Sequence, residues 1–409
     1  MRTEGKQRME QLVTDKTKCC GCTACASACP KQCIDMQPDF EGFLYPVIDS
    51  ARCIDCGLCR RVCPVEHPAE AGDGERRSFV VRSSDPKTVL GSTSGGFFTP
   101  LAGQIIGEGG VVCAAAFDDS FEVVHLFLDG STMSEEACTK FRGSKYVQSR
   151  LGDCYGRIRS YLEEGRPVCF VGTTCQVSGL KRFLGREYDK LITVDVVCHG
   201  TPSPKLWRKY LDYQTNKYGS PIAQVSFRNK TYGYHSGTMK ITFENGKEYY
   251  GSARVDYMLK SFFKEISSRP ICYQCPFKTL ERCSDLTLYD CWHPDKIVPG
   301  LHDDDRGYTN VIVQSGKGLR LLERMADRLE MHPADTETAV KLDGVMVRRS
   351  AKRHPKRDAF YTDLEREPLP DHIQKFLPIS RKDRVLEASK GFLYRMGVLR
   401  TLRKVIKKK

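Results

Sequence analysis

The sequence predicts two domains of different class: a small, cysteine-rich α+β module at the N-terminus, then a larger α/β domain with a largely parallel sheet. Three observations carry this. A C-x2-C-x2-C-x3-C-P pattern occurs twice before residue 65. From Ser78 onward, strand-like apolar runs alternate with amphipathic segments, which is the rhythm of an α/β domain. A polar stretch with Pro68, Gly72 and Gly74 separates the two regions and reads as a linker. A chain of 409 residues, 40% hydrophobic and 28% charged, is long enough for two or three globular domains with sizeable cores. The expected division is a module at 1–68, a linker at 69–77, the α/β domain at 78–331 and a basic extension at 332–409.

Within the module, Cys19, Cys22, Cys25 and Cys29 precede Pro30, and Cys53, Cys56, Cys59 and Cys63 precede Pro64. Three thiolates at this spacing wrap one face of a cubane, while the fourth points away to the other cluster, as in two-cluster ferredoxins. Cys19, Cys22, Cys25 and Cys63 are therefore expected to hold one 4Fe-4S cluster, and Cys53, Cys56, Cys59 and Cys29 the second. A zinc module needs only two C-x2-C pairs and no C-x3-C-P, so zinc is disfavoured. Cys20 and Cys33 fit neither spacing and read as small packed residues. The segment DFEGFLYPVID between the motifs reads as a two-stranded turn whose Phe43, Leu44, Tyr45 and Val47 can shield the clusters from water.

In the α/β domain the strand-like runs are 111–117, 168–174, 191–198 and 310–315. A helix is expected over 175–184, stopped by Gly185, and another over 203–219, starting after Pro202 with Ser203 as its N-cap. An apolar helix is expected at 255–267. Residues 222–250, with Asn245-Gly246 between two strand-like halves, read as a β-hairpin. Ser94, Gly95 and Gly96 open a helical segment, so their backbone N–H groups can face a phosphate, or the glycines can simply mark a turn or close packing. Cys175 and Cys198 follow two strands of a parallel sheet, where C-terminal strand ends gather ligands. With the C-x2-C of Cys272 and Cys275 they complete a four-thiolate set, for which Cys283 and Cys291 are rivals and unliganded thiols the alternative. Cys113, Cys138, Cys154 and Cys169 read as core or surface cysteines. His199 and Lys145 are the candidate catalytic groups, His199 as a proton donor, a ligand or a capped loop residue. Tyr146, Arg228 and His235 sit on loops that can bind an anion or face solvent.

Taken in order, the cysteine-rich module, STSGGFFTPLA, KYVQSRLGD, GTTCQVSGLKRFLG, DVVCHGTPSPKLWRKYL, SFRNKTYGYHSG and CYQCPFKTLERCSDLTLYDCW resemble the coenzyme F(420) hydrogenase/dehydrogenase beta-subunit family over about residues 9–330. The resemblance implies a flavin-binding α/β domain, with FAD as the expected flavin and iron-sulfur clusters feeding it. It makes Ser94, Gly95, Gly96, Lys145, Gly172, Thr173 and Arg228 candidates for flavin or substrate contact. It also makes Cys175, Cys198, Cys272 and Cys275 candidates for a third 4Fe-4S cluster. Two departures stand out: Thr174 occupies a position where the family usually has proline, and Cys283 and Cys291 stand where it commonly has apolar residues. The resemblance further implies an iron-sulfur flavoprotein oxidoreductase, served by a soluble electron carrier or a partner redox protein and acting on an unidentified small molecule. Many bacterial members accompany polysaccharide genes. The rival function is an electron-carrying adaptor that docks on a partner enzyme and has no substrate of its own.

The net charge of +13 is concentrated at one end, since residues 381–409 hold eleven basic and two acidic side chains. That region is expected to form a helix with Phe392, Met396, Leu399, Leu402 and Ile406 on one stripe. The stripe can pack on the α/β domain, the favoured outcome, or lie on an anionic membrane. No nucleic-acid module accompanies the charge, so nucleic acid is a poor partner. Without a secretory signal or a long apolar run, and with twenty cysteines suited to metal and redox chemistry, the expected location is the cytoplasm.

Overall fold

The computed structural model describes residues 9–72 and 76–399. In the N-terminal module, the strands Met9–Gln11, Leu44–Asp49 and Ile34–Pro38 form an antiparallel sheet with the second in the middle. Each cysteine motif turns into a short helix, Ala24–Ser27 or Leu58–Arg61, through a left-handed residue just after its second cysteine. That residue is Thr23 (φ 64°) in one motif and Gly57 (φ 68°) in the other. The left-handed turn folds the chain sharply enough for successive cysteines to face one centre.

Behind the module lies an eight-stranded sheet among the described residues, in the order 329–334, 77–83, 308–313, 286–291, 191–196, 168–173, 111–117, 123–128. The four strands from 286–291 to 111–117 run parallel; the expected run at 310–315 appears as 308–313 but lies antiparallel beside 286–291, which the sequence did not mark as a strand, and antiparallel strands extend the sheet on both sides. The central strands are apolar on both faces because both faces are covered. Val112, Ala114 and Ala116 pack beside the helix Phe98–Gly107, while Cys113 between them packs on the other face with Val177 and Leu180. The expected helices appear at Thr174–Leu184, ended by Gly185 at φ 70°, and at Pro204–Tyr218, capped by Ser203. The apolar helix near 260 is shorter than expected, Tyr257–Phe263. The expected hairpin, with Gly246 at φ 79°, gains a third strand, Ile222–Asn229.

Module and α/β domain are fastened together. Arg357 Nη1 and Nη2 donate to the two oxygens of Glu41 at 2.7 and 2.6 Å, and Arg357 Nε donates to the Ser268 carbonyl at 3.0 Å. Ser203 Oγ donates to the Glu41 carbonyl, and Lys205 Nζ reaches the Phe40 carbonyl at 3.0 Å. The helix Thr174–Leu184 comes so close to the module that a side chain at Gly179 would meet Cys22 Sγ at 2.9 Å. The segment joining the two regions is also held, with Gly72 N donating to the Arg282 carbonyl at 2.9 Å.

The C-terminal region differs from expectation. Its helix, Arg381–Arg395, docks through polar and aromatic contacts rather than an apolar stripe. Glu387 accepts from Ser252 N and Oγ, Lys390 pairs with Glu387 at 2.6 Å, and Tyr394 packs edge-on to Tyr232. Phe392 (57% exposed) and Met396 (61%) face outward beside Val385 and Leu386. Leu399 is buried, and Leu402 and Ile406 lie outside the described residues. The helix is held by what its polar side chains reach on the three-stranded sheet, which leaves the apolar stripe without cover.

Candidate functional site

Cys175 opens the helix after strand 168–173, and Cys198 follows strand 191–196. These strands are hydrogen-bonded parallel neighbours, so the two thiols emerge on the same sheet edge. Cys272 and Cys275 come to that edge on a single 3₁₀ turn, Pro270–Gln274. All four thiols line one cavity of about 610 Å³. Each of these thiols is pushed up, Cys198 and Cys275 to about 12. Burial is the leading cause at three of them and the thiol of Cys20 at Cys175, with the others of the set adding to it. Such a set becomes fourfold thiolate only when a cationic centre takes the protons' place. Cys283 is buried in the hydrophobic layer with Val177 and Leu180, and Cys291 packs with Val80 and Tyr308, so neither lines the cavity.

Thr174, the departure from proline, is used. Its hydroxyl donates to buried Asp195 at 2.5 Å, an oxygen that Arg282 Nη1 also reaches at 2.5 Å, while Ser284 and Thr287 hydroxyls donate to the other oxygen. This network fixes the start of the helix that aims Cys175. Lys278 Nζ donates to the Cys198 and Met346 carbonyls, which places a buried cation beside the four thiols.

The anion-binding candidates line the same cavity. Ser94 and Gly96 line it, but Ser94 Oγ donates to the Tyr308 carbonyl at 2.6 Å and Gly95 is packed against backbone. A Cβ at Gly95 would lie 2.5 Å from the Val81 carbonyl oxygen, so glycine is required there by close packing. The following helix, Phe98–Gly107, begins at the cavity with no side-chain cap; Pro100 has no N–H and Leu101 N already donates to the Phe97 carbonyl, so its first turn offers at most the Phe98 and Thr99 N–H groups to a ligand. Gly172 and Thr173 line the cavity, with Thr173 N donating to Gln176 Oε1 at 2.9 Å. Arg228 is buried, pairs with Asp290 and lies 4.5 Å over the Trp292 ring, and its Nη2 has no partner. Lys145 also lines the cavity, but its ammonium donates to the Phe141, Arg142 and Gly143 carbonyls at 3.0 to 3.3 Å. Burial pulls its pKa down to about 7. It ties the loop to the end of helix Glu135–Phe141 rather than offering free donors.

His199 lines the cavity with its ring 5.0 Å from that of Phe262 and Nε2 3.4 Å from Glu265. Burial lowers its pKa, against the pull of Glu265. Tyr146 stacks on Phe262 at 4.2 Å. His235 lies outside the cavity, held by Asp303 at 2.9 Å.

In the module, the pKa of Cys25 is pushed up to about 12 by burial and by Cys19, Cys63 and Cys59, and Cys22 also responds to Cys19 and Cys25. Cys25 therefore lies near thiols of both motifs, although among the described residues no group of three or more cysteines is drawn close enough to hold a metal ion. Cys59 feels Cys53 and Cys56, and Cys29 Sγ lies 3.3 Å from Cys33 Sγ, which in turn feels Cys53. Cys33 is therefore packed within the second group, and Cys20 lies between Cys22 and Cys175. Arg269 and Gln148, which sequence reasoning passed over, clamp this junction. Arg269 Nε donates to the Cys19 carbonyl at 2.7 Å, Nη1 to Gln148 Oε1 at 3.0 Å, and Gln148 Nε2 to the Cys20 carbonyl at 3.3 Å. A usable signal existed: Arg269 and Lys278 each stand three residues outside the C-x2-C pair.

Residues 18–67 match the model of the 4Fe-4S dicluster domain, and residues 165–337 match that of the C terminus of the coenzyme F420 hydrogenase/dehydrogenase beta subunit. One solved chain, from the xenon-derivatized F420-reducing NiFe hydrogenase complex of Methanosarcina barkeri, aligns over 75% of this chain and 92% of its own length, at 17% identity and a TM-score of 0.40. No curated protein matches the sequence. The chain carries an iron-sulfur dicluster domain ahead of a domain that matches the C terminus of the coenzyme F420 hydrogenase/dehydrogenase beta subunit.

Proposed function

We propose that the protein is an iron-sulfur flavoprotein oxidoreductase in which electrons from a soluble one-electron carrier cross the module to a third cluster and a flavin in the α/β domain. The observation that carries this reading is the shared cavity: the four thiols of Cys175, Cys198, Cys272 and Cys275 line the same space as the start of helix Phe98–Gly107 and Arg228, whose Nη2 has no partner among the described residues. At about 610 Å³ it falls in the size range of cofactor sites. Arg228, with the Phe98 and Thr99 N–H groups at the start of helix Phe98–Gly107, suits a flavin's diphosphate, and Phe262, Tyr146 and Trp292 suit its apolar ring. A bound flavin accepts electrons one at a time and delivers them in pairs. His199 is placed to pass a proton to a substrate in the cavity, and Cys56, the exposed cysteine of the module, marks the side where a carrier would give up electrons. The substrate is a small molecule, with polysaccharide metabolism as its setting by resemblance.

Anaerobic purification is expected to give about twelve irons per chain, four for each 4Fe-4S cluster, with matching sulfide and one FAD. Full iron with no flavin, and none taken up on adding FAD, would sink the enzyme reading and leave the adaptor. About eight irons would remove the third cluster.

The exposed apolar stripe of helix Arg381–Arg395 and the surrounding basic charge suit peripheral contact with an anionic membrane. The full chain is expected to float with vesicles rich in phosphatidylserine and to lose that binding in Phe392→Ser/Met396→Ser. Equal flotation of both proteins would refute the contact.

A further inference from the structure

Arg269 is 1% exposed, and among the described residues no carboxylate forms an ion pair with it. Burying an unpaired guanidinium costs several kcal/mol unless nearby negative charge compensates. The groups that act on its charge are Cys19 first, then Tyr45, Cys20 and Cys272. Its Nη2 donates to Cys19 Sγ at 3.4 Å and to the Leu44 carbonyl at 3.0 Å, and its guanidinium lies 4.0 Å over the Tyr45 ring. The arginine comes from the α/β domain, yet it donates to the carbonyl and the sulfur of Cys19 at the start of the first cysteine motif.

We infer that Arg269 raises the reduction potential of the cluster held by Cys19, Cys22, Cys25 and Cys63, and so makes this inner centre a downhill acceptor for electrons arriving at the outer one. The inference rests on the ligand assignment in the proposed function. A cluster with four thiolates carries net negative charge that grows by one unit on reduction, so a cation donating a hydrogen bond to a ligand sulfur stabilises the reduced form more than the oxidised one. Two effects compete at the inner site. Cys22 is buried whereas Cys56 of the outer group is exposed, and burial alone would disfavour the more negative, reduced inner cluster. Without a compensating cation, electrons would rest at the surface. Arg269 supplies that cation at the joint between the domains, on the side from which Cys272 approaches. The transfer it favours moves one electron: the outer cluster is oxidised by one as the inner is reduced by one, with no bond made or broken and no proton needed. A low-potential one-electron carrier supplies the electron.

The test is a redox titration of the full-length holoprotein followed by EPR. Arg269→Gln is expected to keep its iron and to lower the midpoint of one cluster by at least ~59 mV, the shift that changes the reduced-to-oxidised ratio tenfold in a one-electron couple. The other module cluster should not move, and Arg269→Lys should recover part of the shift. Unchanged midpoints with full iron, a rise, or an equal movement of both clusters would overturn the inference. If Arg269→Gln loses iron, the unaltered protein decides: the reduced inner cluster should show a strongly coupled exchangeable proton in H2O that disappears in D2O, and its absence counts against the arginine. Cys19→Ser separates the two readings. If it perturbs a signal that Arg269→Gln leaves in place, the ligand assignment stands and the arginine's role fails. If it perturbs no cluster signal, the ligand assignment itself is wrong.

Discussion

Replacing Cys272 by serine is expected to remove about four of about twelve irons and to stop reduction of the flavin by a one-electron donor, while dithionite still reduces the flavin directly. The thiol sits on the 3₁₀ turn that closes the sheet edge, half-buried, with Thr201 Oγ1 beside it at 3.7 Å. A serine hydroxyl is a poorer and shorter ligand, and no neighbouring group in the cavity replaces it except Cys20, which already lies against Cys175. The control is Cys283→Ser, which should retain all iron because that thiol is in the hydrophobic layer. Full iron and normal internal electron transfer in Cys272→Ser would show that the four thiols hold no cluster. Loss of four irons in Cys283→Ser would keep the cluster and discard the ligand set.

Arg357→Met should produce the largest loss of stability, about 3 to 5 kcal/mol, because it leaves Glu41 buried without its partner. The side chains are 2% and 5% exposed, and the bidentate geometry gives Glu41 both of its charge-assisted bonds. The substitution also strands the Ser268 carbonyl that Arg357 Nε serves. The measurement is the apparent melting temperature of the anaerobic holoprotein, with cluster absorbance as a second probe. The double variant Glu41→Leu/Arg357→Met should recover most of the loss, since a well-packed apolar pair escapes the desolvation cost. A single variant that melts with the parent would mean that this contact does not hold the module in place.

What the sequence disclosed follows from how local each signal is. The cysteine motifs of the module are legible because a cluster imposes fixed spacing. Ser203 and Gly185 are legible because caps sit next to the helices they end. The convergence of Cys175 and Cys198 follows from one rule about parallel strands and holds in the structure. Other features were silent. Glu41 and Arg357 are 316 positions apart, and Arg269 is 250 positions from Cys19, so no window on the chain contains either pair. Thr174 stands in the sequence only as a departure from proline, and the fold alone reveals Asp195 and Arg282 beneath it. At the C-terminus the helical period was readable, but which face would dock was not. That choice depends on Ser252 and Tyr232, which belong to a distant part of the fold.

The close approach at Gly179 has a dynamic meaning. Cys175 and the residue that touches Cys22 lie four positions apart on one helix, so a single rigid rod spans from the module's first motif to the edge of the sheet. Proteins that shuttle electrons on a swinging domain must wait for the domain to arrive and leave, and their turnover inherits the pace of that motion. On the proposed electron path, the module's first motif and the Cys175 site would be joined by one helix, and encounter with an external carrier would be the step left to diffusion.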